Sequence, residues 1–250
     1  MLKVVSFRAA ADFAAFRDPS VTSNQTVYYI PSKTALIGML GSILGIERGH
    51  GITENYSKSY LELFGRTSVG IRLDSTPEKI SFFTNHRSLK EPKTKPFKTE
   101  LLLRPRYTIF VSSDDYTVKR IFDAINGRDY AYPPYFGHAY CPATLEDPSP
   151  VMEAIECNEL TCSTSCVVLD ESETFDESFS MQADPEKEDS SLIIERHLHH
   201  FVENDELNMR VLRHWIPTGG LPFRFTTNKK PKLSRMVRLD HDDRRIICLY

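Results

Sequence analysis

Two helices, each following a strand and each marked at both ends, constrain the fold of this chain more than any other feature. The first begins at Ser32, a helix-capping residue after Pro31. It carries Ala35, Leu36, Met39, Leu40, Ile43 and Leu44 at helical spacing and stops at Gly45, where a left-handed cap is expected. The second starts from Ser113 or Asp114, buries Val118, Ile121, Phe122 and Ile125, and closes at Asn126-Gly127. Strands read at 2–8, at 67–73 with alternating Val69, Ile71 and Leu73, at 79–84, and at 104–112. In the last of these, Tyr107, Ile109 and Val111 share one face, and Arg106, Thr108 and Phe110 share the other.

Strand, helix, strand, then strand, helix and a further strand-like segment is the order of a ferredoxin-like unit. The expected fold is therefore α+β, with a ferredoxin-like domain over residues 1–147. Asp147-Pro148-Ser149-Pro150 supplies a boundary. Residues 148–250 change to short strands, at 152–155, 164–169, 192–201, 207–216, 236–239 and 244–249, and predict a smaller antiparallel β region without helices.

Composition enters through what it excludes. Hydrophobic residues make up 40% of the 250, and 15 Phe with 11 Tyr supply core material, so the chain is not a disordered one. The longest apolar-rich run, 35–46, is too short and too glycine-rich to cross a membrane. No secretory leader is read at 1–8, and five irregularly spaced cysteines predict reduced thiols in a cytoplasmic protein. The net charge of −3 conceals an asymmetry. Between Asp170 and Asp189 nine acids face the single Lys187, in what reads as an exposed loop. The remainder is net basic and can meet an anionic partner.

The basic residues concentrate at 86–106, where Arg87, Lys90, Lys93, Lys95, Lys98, Arg104 and Arg106 stand against Glu91 and Glu100. Pro92 and Pro96 favour an extended arm or a twisted hairpin over a helix. Cations along an extended element suit a phosphate backbone; they also suit a sheet edge kept soluble, and charge density alone leaves both readings open. A second basic stretch, from Arg224 through Lys229, Lys230, Lys232, Arg235 and Arg238, follows a turn at Gly219-Gly220. Gly38 and Gly41 lie inside the first helix; spacing alone favours close packing on a sheet over approach of a nucleotide. Cys157, Cys162 and Cys166 form no CxxC pair, and with His197, His199 and His200 they read as buried thiols and a wet histidine strand, not a metal site. His86, His138, Tyr28, Tyr29 and Lys90 supply the residue types of a metal-independent ribonuclease, but in no recognisable spacing, so no catalytic residue and no cofactor is expected.

Three blocks of sequence, the first in two pieces, carry a resemblance. Residues 15–19 and 28–45, AFRDP and YYIPSKTALIGMLGSILG, resemble the amino-terminal signature of the fifth CRISPR-associated (Cas) family, a branch of the RAMP superfamily of RNA-binding proteins. Residues 99–107, TELLLRPRY, are similar to the block that returns from that family's thumb hairpin, and 136–143, FGHAYCPA, to its glycine-containing segment after the second helix. The resemblance covers residues 1 to about 145 and looks like the I-B type. It implies a non-catalytic subunit of a type I Cascade complex, present as one copy or monomeric on its own. Such a subunit grips the 5′ handle of CRISPR RNA, caps the backbone filament, and meets the backbone-forming and large subunits. One subtype cuts precursor RNA itself, which keeps a metal-independent endoribonuclease as the alternative. Under this resemblance the RNA-binding residues are Arg17, Tyr28, Ser32, Lys33, Thr34, Gly38, Lys90, Lys93, Lys95, Lys98, Arg104, Arg106 and His138. Ser32, Lys33 and Thr34 would offer a helix amino terminus to phosphate, and Tyr28 or Tyr29 would stack an unpaired base.

Overall fold

A computed structural model describes residues 1–22, 24–49, 56–87, 93–157, 165–170, 173, 179–183, 191–203, 206–218, 223–227, 229, 231–239 and 246–250. In chain order its elements are β1 (Leu2–Ala11), β2 (Phe13–Ala14), α1 (Lys33–Leu44), α2 (Lys58–Arg66), β3 (Ser68–Ser75), β4 (Glu78–Arg87), β5 (Thr94–Leu103), β6 (Arg106–Ser113) and α3 (Asp115–Gly127). Then follow β7 (Ala143–Glu146), β8 (Met152–Glu156), β9 (Val167–Asp170), β10 (Phe179–Ala183), β11 (Leu192–Glu203), β12 (Glu206–Pro217), β13 (Phe223–Thr227), β14 (Arg235–Leu239) and β15 (Ile246–Leu249).

Local chemistry places the helices. Ser32 caps α1 by accepting from Ala35 N–H, and Gly45 closes it at φ 70°. Asp114 caps α3 through Thr117 N–H. The second helix, α2, was not among the expected elements; Ser57 caps it, and it buries only Tyr60, Leu63 and Phe64.

Seven strands form the main sheet, in the order β15-β14-β8-β1-β6-β3 with β7 also on β1, and every pairing is antiparallel. One face of β1 and β6, with Val5, Phe7, Tyr107, Ile109 and Val111, packs with Leu36, Leu40 and Ile43 of α1, Leu63 and Phe64 of α2, and Val118 and Ile121 of α3. Each such side chain removed from water contributes roughly 1.5–3 kcal/mol. The opposite face, with Val4 and Phe110, is covered by Ala154, Val237, Leu239, Ile247 and Leu249. Strands from beyond residue 148 thus share a sheet with β1.

The sheet curls until its two edges meet. Val69 of β3 and Tyr250 exchange backbone hydrogen bonds of 3.0 and 2.9 Å. Gly70 permits this approach, because a Cβ there would lie 2.6 Å from the Cys248 carbonyl oxygen.

Two expectations about the later region need correction. The acidic segment is not wholly an exposed loop. It contains β10, paired with β13, and Glu173 is 2% exposed, accepting from the N–H groups of Asp170 and Lys232. The histidine strand is not wet. His197 and His199, on one face of β11, and His214 on β12 are buried, because β11 crosses α1 and α2 and β12 packs beside β3. Among the described residues no group of side chains could hold a metal ion; Cys162 lies outside them.

Candidate nucleic-acid interface

The segments at 15–19, 99–107 and 136–143 converge. β2 pairs with the end of β5 through Phe13–Leu103 and Ala14–Leu102. Phe16, Tyr107 and Phe136 form an aromatic cluster with ring centroids 5.4–6.1 Å apart. Ala15 N–H donates to the Phe136 carbonyl at 3.0 Å, and Tyr107 Oη donates to the Tyr29 carbonyl at 2.6 Å. Gly137, at φ 84°, passes so close to this strand that a Cβ would overlap the Ala15 carbonyl. The buried members of these segments are therefore a scaffold. They leave Arg17 exposed, with His138 half-buried and stacked on Tyr140 at 5.0 Å. Gln25 Nε2 lies 3.4 Å from His138 Nε2, while its backbone bonds to Lys98 and Glu100 of β5, tying this corner to the hairpin.

That hairpin is β4–β5, paired from Glu78–Leu103 to Arg87–Thr94. Pro96 stands opposite Asn85, where β5 has only β4 beside it among the described residues. His86 packs on Phe97 at 4.8 Å, whereas Phe82 and Phe83 are 41% and 74% exposed. Arg87, Lys93 and Lys95 are exposed, and Lys98 is partly buried with Nζ 3.6 Å from Glu100. Lys90 lies outside the described residues. Arg104 and Arg106 are exposed at the other end of β5; Arg104, at φ 51°, donates its N–H to the Asp12 carbonyl.

Helix α1 differs from expectation at two points. Gly38 does not pack on the sheet: a Cβ there would meet nothing within 4 Å. It opens on a groove of about 680 Å3 lined also by Ser32, Thr34, Tyr60, Tyr132 and Tyr135. The loop after α3 forms the far wall, anchored by Ala131 and Tyr132 N–H to the Ile43 and Ser42 carbonyls. Lys33 is not a free surface cation. Its Nζ lies 5.4 Å from the Phe64 ring centroid, and burial, with the Arg235 charge nearby, pushes its pKa down to about 8. Thr34 Oγ1 lies 2.8 Å from His200 Nδ1.

Tyr28 is held inside the protein and is not presented to a base. It is 7% exposed, donates to Asp18 at 2.8 Å, and stacks on His197 at 3.8 Å. Tyr29 is half-buried beneath Lys79, whose Nζ lies 4.1 Å from its ring. His197 also stacks on His214 at 4.1 Å. Glu195 accepts from Tyr29 N–H and lies 3.0 Å from His197 Nε2. Burial raises the Glu195 pKa to about 7 and lowers that of His197 to about 3. This network borders a second cavity of about 750 Å3 with Asp18, Lys79 and Glu100. Sequence reasoning missed it, because no local signal joins residues 18, 28, 79 and 195. Of the residues weighed as a ribonuclease set, His86 rests on Phe97, His138 on Tyr140 and Tyr28 on His197, while Lys90 lies outside the described residues.

No curated protein matches the chain. Among solved structures, a chain of a CRISPR RNA-guided surveillance complex superposes with a TM-score of 0.51 at 12% identity, covering 92% of this chain and 94% of that one. A CRISPR protein from Archaeoglobus fulgidus superposes with a TM-score of 0.61 at 9% identity over 99% of both chains. At such identities the likeness is one of fold. The sequence itself decides the family, since the family model described as CRISPR-associated protein (Cas_Cas5) matches residues 4–216, and the chain belongs to the CRISPR-associated Cas5 family.

Proposed function

We propose that this protein is a non-catalytic subunit of a type I Cascade surveillance complex in antiviral defence. In this reading it binds the 5′ handle of CRISPR RNA, caps the backbone filament, and docks the backbone-forming and large subunits. The observation that carries the reading is the β4–β5 hairpin, which exposes Arg87, Lys93 and Lys95 together with Phe82 and Phe83. Cations neutralise phosphates and aromatic rings stack bases, the two means by which single-stranded nucleic acid is held. The ferredoxin-like reading is supported by the sheet order β8-β1-β6-β3, with α1 following β1 and α3 following β6. The surface at the hairpin's root, with Arg17 and His138, would continue the RNA path toward the α1 groove.

Replacing Lys90, Lys93, Lys95 and Lys98 by Ala tests the hairpin. Handle RNA binding should weaken, and the log–log salt slope should fall by about 0.7 for each phosphate that is no longer neutralised. An unchanged slope would reject the hairpin as an RNA clamp. Incubation of the protein with repeat RNA and chelator tests the absence of catalysis; site-specific cleavage would overturn it.

A further inference from the structure

Lys33 is a cation placed where nothing balances its charge. It is the first residue of α1, at the positive end of that helix. It does not line the α1 groove, to which this turn contributes Ser32 and Thr34. Its Nζ lies 5.4 Å from the Phe64 ring centroid of α2, and its charge is felt by His199 of β11 and feels that of Arg235 of β14. Among the described residues Nζ has no hydrogen-bond or ion-pair partner, and no carboxylate acts on it. The amine is not sealed off: Lys33 is partly buried, and Nζ keeps contact with solvent. With its pKa lowered to about 8, about a quarter of the amine is unprotonated near pH 7.5, against about one part in a thousand for an ordinary lysine. His199, lowered to about 3, is neutral there and adds no charge.

A lysine amine with a free lone pair is a nucleophile, and its surroundings decide what it should take. A cation beside Arg235 and a helix amino terminus is mismatched, whereas an anion in the same place would be matched. Acylation would leave an uncharged amide and Arg235 still without a counter-charge from this side chain. Carbon dioxide converts the amine into a carboxylate-like anion, and it is small and uncharged enough to reach a partly buried atom beside an aromatic ring. We propose that Lys33 is a carbamylation site, whose ε-amine takes up carbon dioxide and whose carbamate is stabilised by Arg235 and the positive end of α1. The amine lone pair attacks the carbon of carbon dioxide, an N–C bond forms, and one C=O π bond opens onto its oxygen. One proton leaves the nitrogen for solvent, so the neutral side chain becomes an anion, and no oxidant, reductant or further reactant is required. The site stands apart from the RNA-binding reading above and does not depend on it.

The full-length chain is equilibrated with carbon-13-labelled bicarbonate near pH 7.5 and its carbamate resonances are read by carbon-13 NMR. The α-amino group of Met1, a residue 87% exposed, also titrates near this pH and supplies an internal reference. The parent should show two carbamate resonances and Lys33→Met only the one from Met1. Arg235→Gln should shrink the Lys33 resonance several-fold and leave that of Met1 unchanged. At fixed pH and ionic strength, dissolved carbon dioxide should raise the melting temperature of the parent and not that of Lys33→Met, because only a ligand of the folded state stabilises it. A parent that shows the Met1 resonance alone, or an equal thermal response in parent and Lys33→Met, overturns the site. A Lys33 resonance as strong in Arg235→Gln as in the parent overturns Arg235 as its partner.

Discussion

The same substitution, glycine to alanine, should have opposite effects at residues 137 and 38. At Gly137 the backbone is at φ 84°, and a Cβ would overlap the Ala15 carbonyl. The left-handed conformation costs an L residue about 1–2 kcal/mol. Overpacking against a neighbour that cannot yield adds about 1–3 kcal/mol. The neighbour here is backbone, fixed by the Ala15–Phe136 hydrogen bond and the Phe16–Phe136 ring contact, so the upper part of each range applies. The total is about 3–5 kcal/mol, which for a chain of this size corresponds to a melting temperature lower by about 6–20 °C. At Gly38 the helix has ordinary geometry and a Cβ meets nothing within 4 Å, so alanine only removes backbone freedom from the unfolded chain. A gain of about 0.5–1 kcal/mol is expected there. Circular-dichroism melts of both variants beside the parent decide the matter. A Gly137→Ala protein melting within about 2–3 °C of the parent, well inside the roughly 4 °C that a single kcal/mol can move it, would refute the close approach of the two motif segments.

Lys33→Met should raise stability at pH 7 by roughly 2–3 kcal/mol, because it removes a desolvated cation whose pKa has fallen to about 8. Below pH 8 the lysine is charged in both states and the penalty is full. Between 8 and 10.5 the folded chain releases its proton first, so urea midpoints of parent and variant should converge toward pH 10.5; a constant gap would contradict the burial. Acid should weaken the fold below pH 6.5. His197 and His199 have pKa values lowered to about 3, and His214 is lowered well below its usual value, so the unfolded chain takes up protons that the folded one refuses. Glu195, raised to about 7, opposes this between 4.5 and 7 but is one group against three. The expected net loss is about 3 kcal/mol from pH 6.5 to 5, and a urea midpoint as high at pH 5 as at pH 7 would refute it.

Elements whose signals are local were legible in the sequence. The caps Ser32, Gly45 and Asp114 stand where capping chemistry demands, and the alternation at 104–112 put Tyr107, Ile109 and Val111 on the helix side. Helix α2 escaped because it buries only Tyr60, Leu63 and Phe64 and carries Gly65 near its end. β10 escaped because its five residues sit among acids, and it exists by pairing with β13. Part of the candidate site was legible as the basic stretch that became β4–β5. The groove was not, because it arises where the loop after α3 returns to α1, and Tyr60, Tyr132 and Tyr135 have no common local pattern. Lys33 shows the converse failure: a lysine at a helix start reads as exposed until β11 and Arg235 are placed beside it.

The hydrogen bonds between Val69 and Tyr250 carry a consequence for biosynthesis. While the chain emerges from the ribosome, β3 is complete long before residues 246–250 exist. Throughout that interval β3 is a bare sheet edge, and an apolar one, since Val69, Ile71 and Leu73 are all buried in the finished protein. Such an edge pairs with whatever strand is at hand, including another nascent copy. Closure of the ring must wait for a contact between residues far apart in the sequence, Val69 and Tyr250, which slows folding and prolongs the exposure. The yield of folded protein in cells should therefore depend on the rate at which the last strands arrive and on chaperone capacity during translation, even for variants whose final stability is unchanged.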